Sequence, residues 1–313
     1  MKKLITGATG QIGSELTPAL AALYGADNVI ALGHRRQPDA DLQAGHYFSL
    51  DIRDAARLQD IVATHQVDTI YHLASLLSAV AEAQPQQAWD INMNGLLNVL
   101  ETARQHGCAV FFPSSIGAFG PNTPKRNTPQ DTIQRPNTLY GITKLAGELL
   151  CDYYLQHFAV DVRGLRFPGL ISWKTAPGGG TTDYAVEIFS AAARGQPYQC
   201  FLRADTQLDM MYMPDAIAAI TQLMQADPAR LTHHNAFNVT AMSFTPEQLA
   251  GEIKKQLPDF SIRYRIDPVR QAIADSWPQH MNDCAARQEW GWQPRYDLAA
   301  MVKDMLDHMR NLS

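Results

Sequence analysis

The feature of this chain that most constrains its fold is an alternation of short apolar strands with helical segments. Runs rich in β-branched and aromatic residues predict strands at 3–6, 29–32, 47–50, 69–74, 109–113 and 160–167. Helical patterns lie between them at 11–24, 54–65, 85–106 and 138–158. Short strands that are buried on both faces and joined by right-handed helical crossovers form a parallel sheet. The alternation therefore predicts an α/β fold with a doubly wound parallel sheet.

Three glycines follow directly after the first predicted strand, in a Gly-x-x-Gly-x-x-Gly run. Glycine at such a turn lets the strand bend sharply and lets the N–H groups of the next helix approach a pyrophosphate, as in the Rossmann fold. A tight turn that binds nothing is the alternative. We expect a dinucleotide site here, with contacts from Gly7, Gly10, Gln11, Ile12 and Gly13.

The alternation stops after residue 167, where proline and glycine become frequent. Helices are predicted beyond that point near 182–194, 214–226, 245–257 and 297–310. No fixed-period repeat or long linker divides the sequence, which favours two interlocked units. We expect a dinucleotide-binding domain over 1–167, to which 206–241 return. A smaller, mostly helical C-terminal substrate lobe would then comprise 168–205 and 242–313.

Composition narrows the classes of function. The 313 residues include 26 Lys and Arg against 31 Asp and Glu, a net charge of −5, which provides no basic field for nucleic acid. No apolar run approaches the roughly 18 residues of a membrane span. Four widely spaced cysteines form no Cys-x-x-Cys pair, which argues against a disulfide scaffold or structural zinc. We therefore expect a cytoplasmic protein without a nucleic-acid partner, a membrane partner or a metal.

The end of the second predicted strand should distinguish between cofactors. A carboxylate there would bind the ribose 2′-hydroxyl of NAD, but this chain has Gly33, followed closely by Arg35 and Arg36. The arginines could accept the 2′-phosphate of NADP or could form a solvated loop. Asp51 and Ile52 end the third predicted strand, where they could hold the adenine edge or simply precede a helix.

A second group of polar residues predicts proton-transfer chemistry. Tyr140 and Lys144 form the only Tyr-x-x-x-Lys in the chain, and helical spacing puts both side chains on one face. A nearby ammonium stabilises a phenolate, and lowering a tyrosine pKa from about 10 to near 7 takes roughly 4 kcal/mol. Ser114 and Ser115 end the fifth predicted strand, at the edge where open α/β sheets bind ligands. An exposed helical pair and two turn-forming serines are the alternatives.

These residues give the chain a resemblance to the extended short-chain dehydrogenases/reductases. The matching segments are 7–13, 51–52, 72–75, 92–95, 115–120 and 140–144. The resemblance implies that Tyr140 is the catalytic base, that Lys144 lowers its pKa and binds the nicotinamide ribose, and that Ser115 holds the reacting oxygen. It places Asn92 near the proton-relay region. Further cofactor contacts are implied for Leu73, Ala74, Phe167, Pro168 and Leu170.

The second half resembles one branch of that family, the short-chain L-threonine 3-dehydrogenases, through segments 167–174, 177–186, 210–215 and 271–278. This branch implies oxidation of the C3 hydroxyl of L-threonine to L-2-amino-3-oxobutanoate, with hydride transfer to NAD. Gly33 departs from the acidic residue usual in the branch, so NADP stays open as the cofactor. The resemblance also implies a homodimer that forms through helices near 92–106 and 138–158. A monomer is the alternative.

An amino-acid substrate needs hydrogen-bond donors for its carboxylate and an acceptor for its ammonium. The residues predicted to bind it are Ser75, Ser114, Thr181 and Thr182 as donors, Asp183 facing the ammonium and Trp277 against the methyl group. The alternatives are that Thr182 or Asp183 caps the next helix and that Trp277 belongs to the core. The run 177–180 contains three consecutive glycines and predicts a hinge or a close backbone approach to the ligand.

Two other classes of function stay open. A nucleotide-sugar epimerase or dehydratase with the same catalytic residues would need basic side chains for a diphosphate, and no clear cluster of them follows residue 168. A sensor that binds dinucleotide without turnover would not need Tyr140, Lys144 and Ser115 intact.

Overall fold

The structure, a computed structural model, describes residues 1–36, 38, 46–175 and 178–310. Its strands are β1 (Lys2–Thr6), β2 (Val29–Gly33), β3 (His46–Ser49), β4 (Val67–His72), β5 (Ala109–Ser115), β6 (Val162–Phe167), β7 (Gly169–Ile171), β8 (Tyr198–Cys200), β9 (Leu208–Tyr212), β10 (Phe237–Asn238), β11 (Met242–Phe244) and β12 (Ile262–Tyr264). Seven of them form a parallel sheet in the order β10-β6-β5-β4-β1-β2-β3. The predicted doubly wound parallel sheet is therefore confirmed.

Helices cover both faces of this sheet and make up most of the second half. They are α1 (Gly13–Tyr24), α2 (Ala55–His65), α3 (Ser78–Ala83), α4 (Pro85–Trp89), α5 (Gly95–His106), α6 (Leu139–Phe158), α7 (Tyr184–Ala193), α8 (Met213–Gln225), α9 (Pro246–Gln256), α10 (Pro268–Ser276), α11 (Cys284–Trp290) and α12 (Leu298–Arg310). None of the described helices combines the length and apolar character needed to cross a bilayer.

The winding of the sheet fixes where a ligand can bind. β1 lies between β4 and β2, so the chain runs outward from the centre in one direction and then in the other. In such sheets the connections after β1 and β4 leave in opposite directions, which opens a crevice at the carboxyl ends of these strands. The glycine turn follows β1, residues 73–75 follow β4, and Ser115 ends the neighbouring β5. The topology thus brings these segments to one edge.

The second half adds a smaller sheet and its own apolar core. β9 pairs with β7 in parallel and with β11 in antiparallel orientation. Side chains alternate along β9 and into the start of α8. Met210 and Tyr212 join a cluster built from the C-terminal helices, whereas Met211 and Met213 pack into a cluster that includes side chains of β1, β5 and α8. The strand therefore joins the two cores, as expected for buried methionines that pack two units together.

Two parts of the chain differ from the helical pattern that the sequence predicts. The helix expected over 85–106 is divided into α4, a π-helical turn at Asp90–Asn94 and α5. The turn directs Asn92 inward, where its amide bonds the backbone of Leu76. The short helices α10 and α11 were not predicted, because each is too short to produce a clear apolar period.

The glycine turn yields a prediction about stability. A Cβ on Gly13 would overlap the carbonyl oxygen of Gly7 and lie 2.7 Å from Cα of Ala8, and backbone atoms cannot move aside as a side chain can. We expect Gly13→Ala to lower the free energy of unfolding by about 2–4 kcal/mol and to weaken dinucleotide binding. Urea denaturation and calorimetric titration measure the two effects.

Gly251→Ala is the matched control. Gly251 lies in α9, and no described atom comes within 4 Å of a Cβ built there. Alanine should raise helix stability at this position by up to about 1 kcal/mol. Equal urea midpoints for the two variants would contradict the close packing of the turn.

Candidate active site

The glycine turn leaves no room for side chains and so exposes backbone to the crevice. Gly7 has a φ of +69°, and a Cβ there would lie 2.8 Å from the backbone nitrogen of Ala74, at the end of β4. The Gly10 N–H donates to the Gly7 carbonyl at 2.9 Å and tightens the turn before α1. A helix N-terminus reached through such a turn suits a pyrophosphate, so the residues present fit a dinucleotide.

One end of the crevice is a pocket of about 400 Å³ beside β2 and β3. The predicted residues that line it are Gly7, Gly10, Gln11, Gly33, Arg35, Asp51, Ile52, Leu73, Ala74 and Ser75. Its position beyond the glycine turn suits the adenosine half of the cofactor. Asp51 is already engaged there, because its two carboxylate oxygens accept bonds of 3.0 and 2.6 Å from Arg53.

The other end is a pocket of about 210 Å³ that shares the glycine turn with the first. The remaining predicted residues line it: Ile12, Gly13, Ser114, Ser115, Tyr140, Lys144, Phe167, Pro168, Leu170, Thr181, Thr182, Asp183 and Trp277. The structure thus brings every predicted site residue to one crevice. Their individual roles are proposals, taken up below.

The three catalytic candidates lie together at the floor of this second pocket. Tyr140 and Lys144 lie in the first turns of α6, and the Lys144 Nζ is 5.5 Å from the centroid of the Tyr140 ring. The same ammonium donates to the Pro113 carbonyl at 2.7 Å, which fixes it against β5. Ser115, at the end of β5, lies beside Tyr140, since a Cβ built on Gly117 would contact both side chains, and its hydroxyl accepts the Gly117 N–H at 3.1 Å. The geometry brings an acid–base group, a cation and a hydroxyl into contact.

Burial opposes charge on both titratable groups of this set. It raises the pKa of Tyr140 to about 12, although the adjacent Ser115 hydroxyl acts in the opposite direction. It also lowers the pKa of Lys144 to about 8. Burial disfavours the charged form of any group. A phenolate at Tyr140 therefore requires nearby positive charge that offsets the effect of burial.

A side-chain network behind Lys144 connects the site to the π-helical turn. The Asn92 amide donates to Thr143 at 3.2 Å, and its carbonyl oxygen accepts the Ser75 hydroxyl at 3.2 Å. Close by, His72 is hydrogen-bonded to Thr6, and burial lowers its pKa to about 3. His72 is therefore neutral at physiological pH and adds no charge to the site.

Ser114 has a different environment from the one predicted. Its hydroxyl donates to Glu148, a buried carboxylate that also pairs with Arg166 at 2.9 Å. This donor is therefore occupied within the protein, although the residue does line the pocket. The network ties β5 to α6 and β6, so we assign Ser114 to positioning the strand that carries Ser115.

Asp183 organises the glycine run before α7. Its Oδ2 accepts the N–H groups of Gly179 at 2.7 Å and Gly180 at 2.6 Å, which leaves Oδ1 for a ligand. Gly179 has a φ of +92°, a conformation that favours glycine, so this one glycine of the run satisfies a special backbone angle. Pro177, in the same predicted run, lies outside the described residues.

Some residues of the crevice were not predicted from the sequence. Thr9, Arg53, Leu76, Leu77 and Ile91 line the first pocket, and Pro113, Ile116 and Gly169 line the second. Arg53 could have been predicted from the sequence, because a cation two residues after Asp51 can form an ion pair with its carboxylate. The apolar residues carry no local signal, because their exposure to the crevice depends on the packing of α3 and the π-helical turn.

Comparison with known proteins now adds to the geometry. A family model described as the NAD dependent epimerase/dehydratase family matches residues 3–240. The chain belongs to this family. The predicted resemblance is thereby confirmed.

Three similar proteins represent the family most usefully. An uncharacterized epimerase/dehydratase from Staphylococcus saprophyticus is 54% identical over 309 residues, which are 98% of this chain and 97% of the relative. The solved L-threonine dehydrogenase from Clostridium difficile is 55% identical, with a TM-score of 0.97 and coverage of 99% of this chain and 98% of its own. The holo L-threonine dehydrogenase from Cupriavidus necator is 51% identical, with a TM-score of 0.95 and coverage of 99% and 100%.

These findings support an enzyme of oxidoreductase type that uses a nicotinamide dinucleotide. They do not by themselves decide the substrate. The curated relative has no assigned reaction, whereas the two solved structures are named for threonine oxidation. The pocket beside Tyr140 supplies the further argument.

Proposed function

We propose that this chain oxidises the C3 hydroxyl of L-threonine to L-2-amino-3-oxobutanoate with NAD as the acceptor. The observation that carries the proposal is the lining of the pocket beside Tyr140. Among the described residues of that lining, Lys144 is the one cation, and it lies against Pro113 at the floor. A nucleotide-sugar diphosphate needs several cations, whereas a zwitterion needs neutral donors and one carboxylate.

The lining matches the parts of threonine in turn. Thr181, which is buried, and Thr182 would offer hydroxyls to the substrate carboxylate. Ser75 lines the same pocket, but its hydroxyl donates to Asn92. The free oxygen of Asp183 would accept the ammonium. Trp277, 6% exposed, would close the pocket against the C4 methyl group.

The catalytic residues would divide the proton chemistry between them. Ser115 would hydrogen-bond the C3 hydroxyl oxygen, and Tyr140 as phenolate would take the hydroxyl proton. Lys144 would stabilise that phenolate and hold the nicotinamide ribose. When bound, the oxidised nicotinamide would supply the hydride acceptor and a second positive charge.

The division of the chain follows the same proposal. Residues 1–167 and 206–241 would bind the dinucleotide, and residues 168–205 and 242–313 would bind the substrate. The separate apolar cluster around α7, α9 and α12 supports a lobe of this kind. A cytoplasmic location and the choice between homodimer and monomer stay predictions; α6 exposes Leu149 and Tyr153, which suits a partner helix.

A substrate panel tests the proposed reaction. L-threonine should drive NADH formation, read as absorbance at 340 nm, while D-threonine and UDP-glucose should give rates at least about tenfold lower. Thr181→Val should raise the KM for L-threonine and leave the affinity for NAD unchanged. Turnover of UDP-glucose with none of threonine would overturn the proposal in favour of a nucleotide-sugar enzyme.

A further inference from the structure

Among the described residues at the adenosine end of the crevice, position 33 carries no carboxylate that would select NAD. Gly33 ends β2, where an acidic side chain would bind the ribose 2′-hydroxyl. The space beside it is filled by Tyr47 of β3: a Cβ on Gly33 would overlap the Tyr47 hydroxyl and lie 3.1 Å from its ring. The register of β2 and β3 pairs Ala31 with Tyr47 and thereby places this ring.

Asp51, which lines this end of the crevice, and Asp90 are both paired with Arg53. Arg53 binds Asp51 at 2.6 Å and Asp90 at 2.9 Å. The bonds from Arg53 hold the pKa of Asp51 at about 2, and His34 lies 3.8 Å from the same carboxylate. Asp51 is thus oriented and partly neutralised by Arg53, so it does not replace the missing acid at position 33.

Three consecutive cationic or titratable residues follow Gly33 and line the pocket. His34, Arg35 and Arg36 are all exposed. Arg36 donates to the Thr9 carbonyl at 3.3 Å, which holds its guanidinium beside the glycine turn. Within the described part of the chain, Arg35 has no hydrogen bond or ion pair, so its five donors are available to a ligand.

We propose that Arg35 and Arg36 form a subsite for the 2′-phosphate of the adenosine ribose, so that this chain binds NADP at least as tightly as NAD. A guanidinium matches a phosphate with two parallel N–H bonds, and such charge-assisted pairs are among the strongest hydrogen bonds. Gly33 favours the same ligand, because a glycine at this position carries no negative charge that would repel the phosphate. The inference deepens the proposed function by naming the cofactor range, but it does not depend on threonine as the substrate.

Two adenosine fragments test the subsite without any turnover. Calorimetric titration of the full chain with 2′,5′-ADP and 5′-AMP compares a ligand that carries the 2′-phosphate with one that lacks it. We expect 2′,5′-ADP to bind at least about tenfold more tightly, with an advantage that shrinks as salt is added. Equal affinities for the two fragments at low salt would overturn the proposal.

Three single substitutions locate the effect. Arg35→Ala and Arg36→Ala should each lower the affinity for 2′,5′-ADP by about tenfold. The affinity for 5′-AMP should stay within about twofold of the wild type. Arg57→Ala is the matched control, because Arg57 lies on α2 and does not line the pocket. Loss of 2′,5′-ADP affinity in the control alone would contradict the assignment.

A pair of substitutions at Gly33 separates charge from steric effects. Gly33→Ala and Gly33→Asp both bring a Cβ against Tyr47, but only the second adds a carboxylate. We expect Gly33→Asp to lose the preference for 2′,5′-ADP and Gly33→Ala to keep it. Loss of the preference in both variants, with circular dichroism unchanged, would contradict the role of charge. Tight 2′,5′-ADP binding without threonine oxidation would overturn the proposed substrate but support the subsite for the 2′-phosphate.

Discussion

Replacing Tyr140 with phenylalanine is expected to lower kcat with L-threonine by about 10²–10⁴-fold, the usual contribution of a positioned general base. The ring would remain in place between Gly117 and Lys144, so the packing of α6 on β5 should not change. Only the proton acceptor is lost. Dinucleotide affinity, measured by titration in the absence of threonine, should therefore stay within about twofold of the wild type.

Tyr153→Phe is the matched control for this substitution. Tyr153 lies on the same helix but is 47% exposed and lines neither pocket of the crevice. We expect its removal to leave kcat unchanged. If Tyr140→Phe kept a tenth of the activity across the pH range, Tyr140 could not be the base.

Replacing Lys144 with methionine is expected to have the second largest effect. Burial places the pKa of Tyr140 at about 12. Bringing it near 7 requires about 7 kcal/mol, more than the roughly 4 kcal/mol expected for an ordinary tyrosine. The Lys144 ammonium, 5.5 Å from the centroid of the Tyr140 ring, supplies about 3 kcal/mol at an effective dielectric constant of about 20. Lys144 and the nicotinamide together would thus account for most of the shift.

The pH profile of the Lys144→Met variant follows from that arithmetic. Without the ammonium, the pKa of Tyr140 rises by about two units, so the phenolate fraction at neutral pH falls about a hundredfold. We expect kcat to fall accordingly and the acidic limb of the profile to move about two pH units higher. Lys303→Met, at an exposed position on α12, is the control. An unshifted limb would show that Lys144 does not act on Tyr140.

The fold could be predicted from local sequence because its main signals are local. The alternation of strands and helices and the position of the glycine turn follow from periods of two and 3.6 residues and from backbone geometry. The small strands β7, β10 and β11 could not be predicted in this way. Each has two or three residues, and their pairing depends on contacts between distant segments.

The candidate site was predictable where function fixes the spacing of residues. Tyr140 and Lys144 share a helical face by spacing alone. The end of a buried strand offers Ser114 and Ser115, and the family resemblance selects Ser115. The partners of individual side chains depend instead on packing between elements. The Ser114 hydroxyl donates to Glu148 because α6 packs against β5. Tyr47 fills the space beside Gly33 because β3 pairs with β2. Neither contact leaves a pattern in the sequence.

Transfer of deuterium from L-threonine labelled at C3 tests the central claim most directly. The claim is that Tyr140, Lys144 and Ser115 promote loss of hydride from C3 of threonine bound in the pocket lined by Thr181, Thr182 and Trp277. In a single turnover, mass spectrometry should find the deuterium in the reduced dinucleotide, and the label should slow the reduction. Reduced dinucleotide without deuterium, or no reduction with threonine while a UDP-sugar reacts, would contradict the claim.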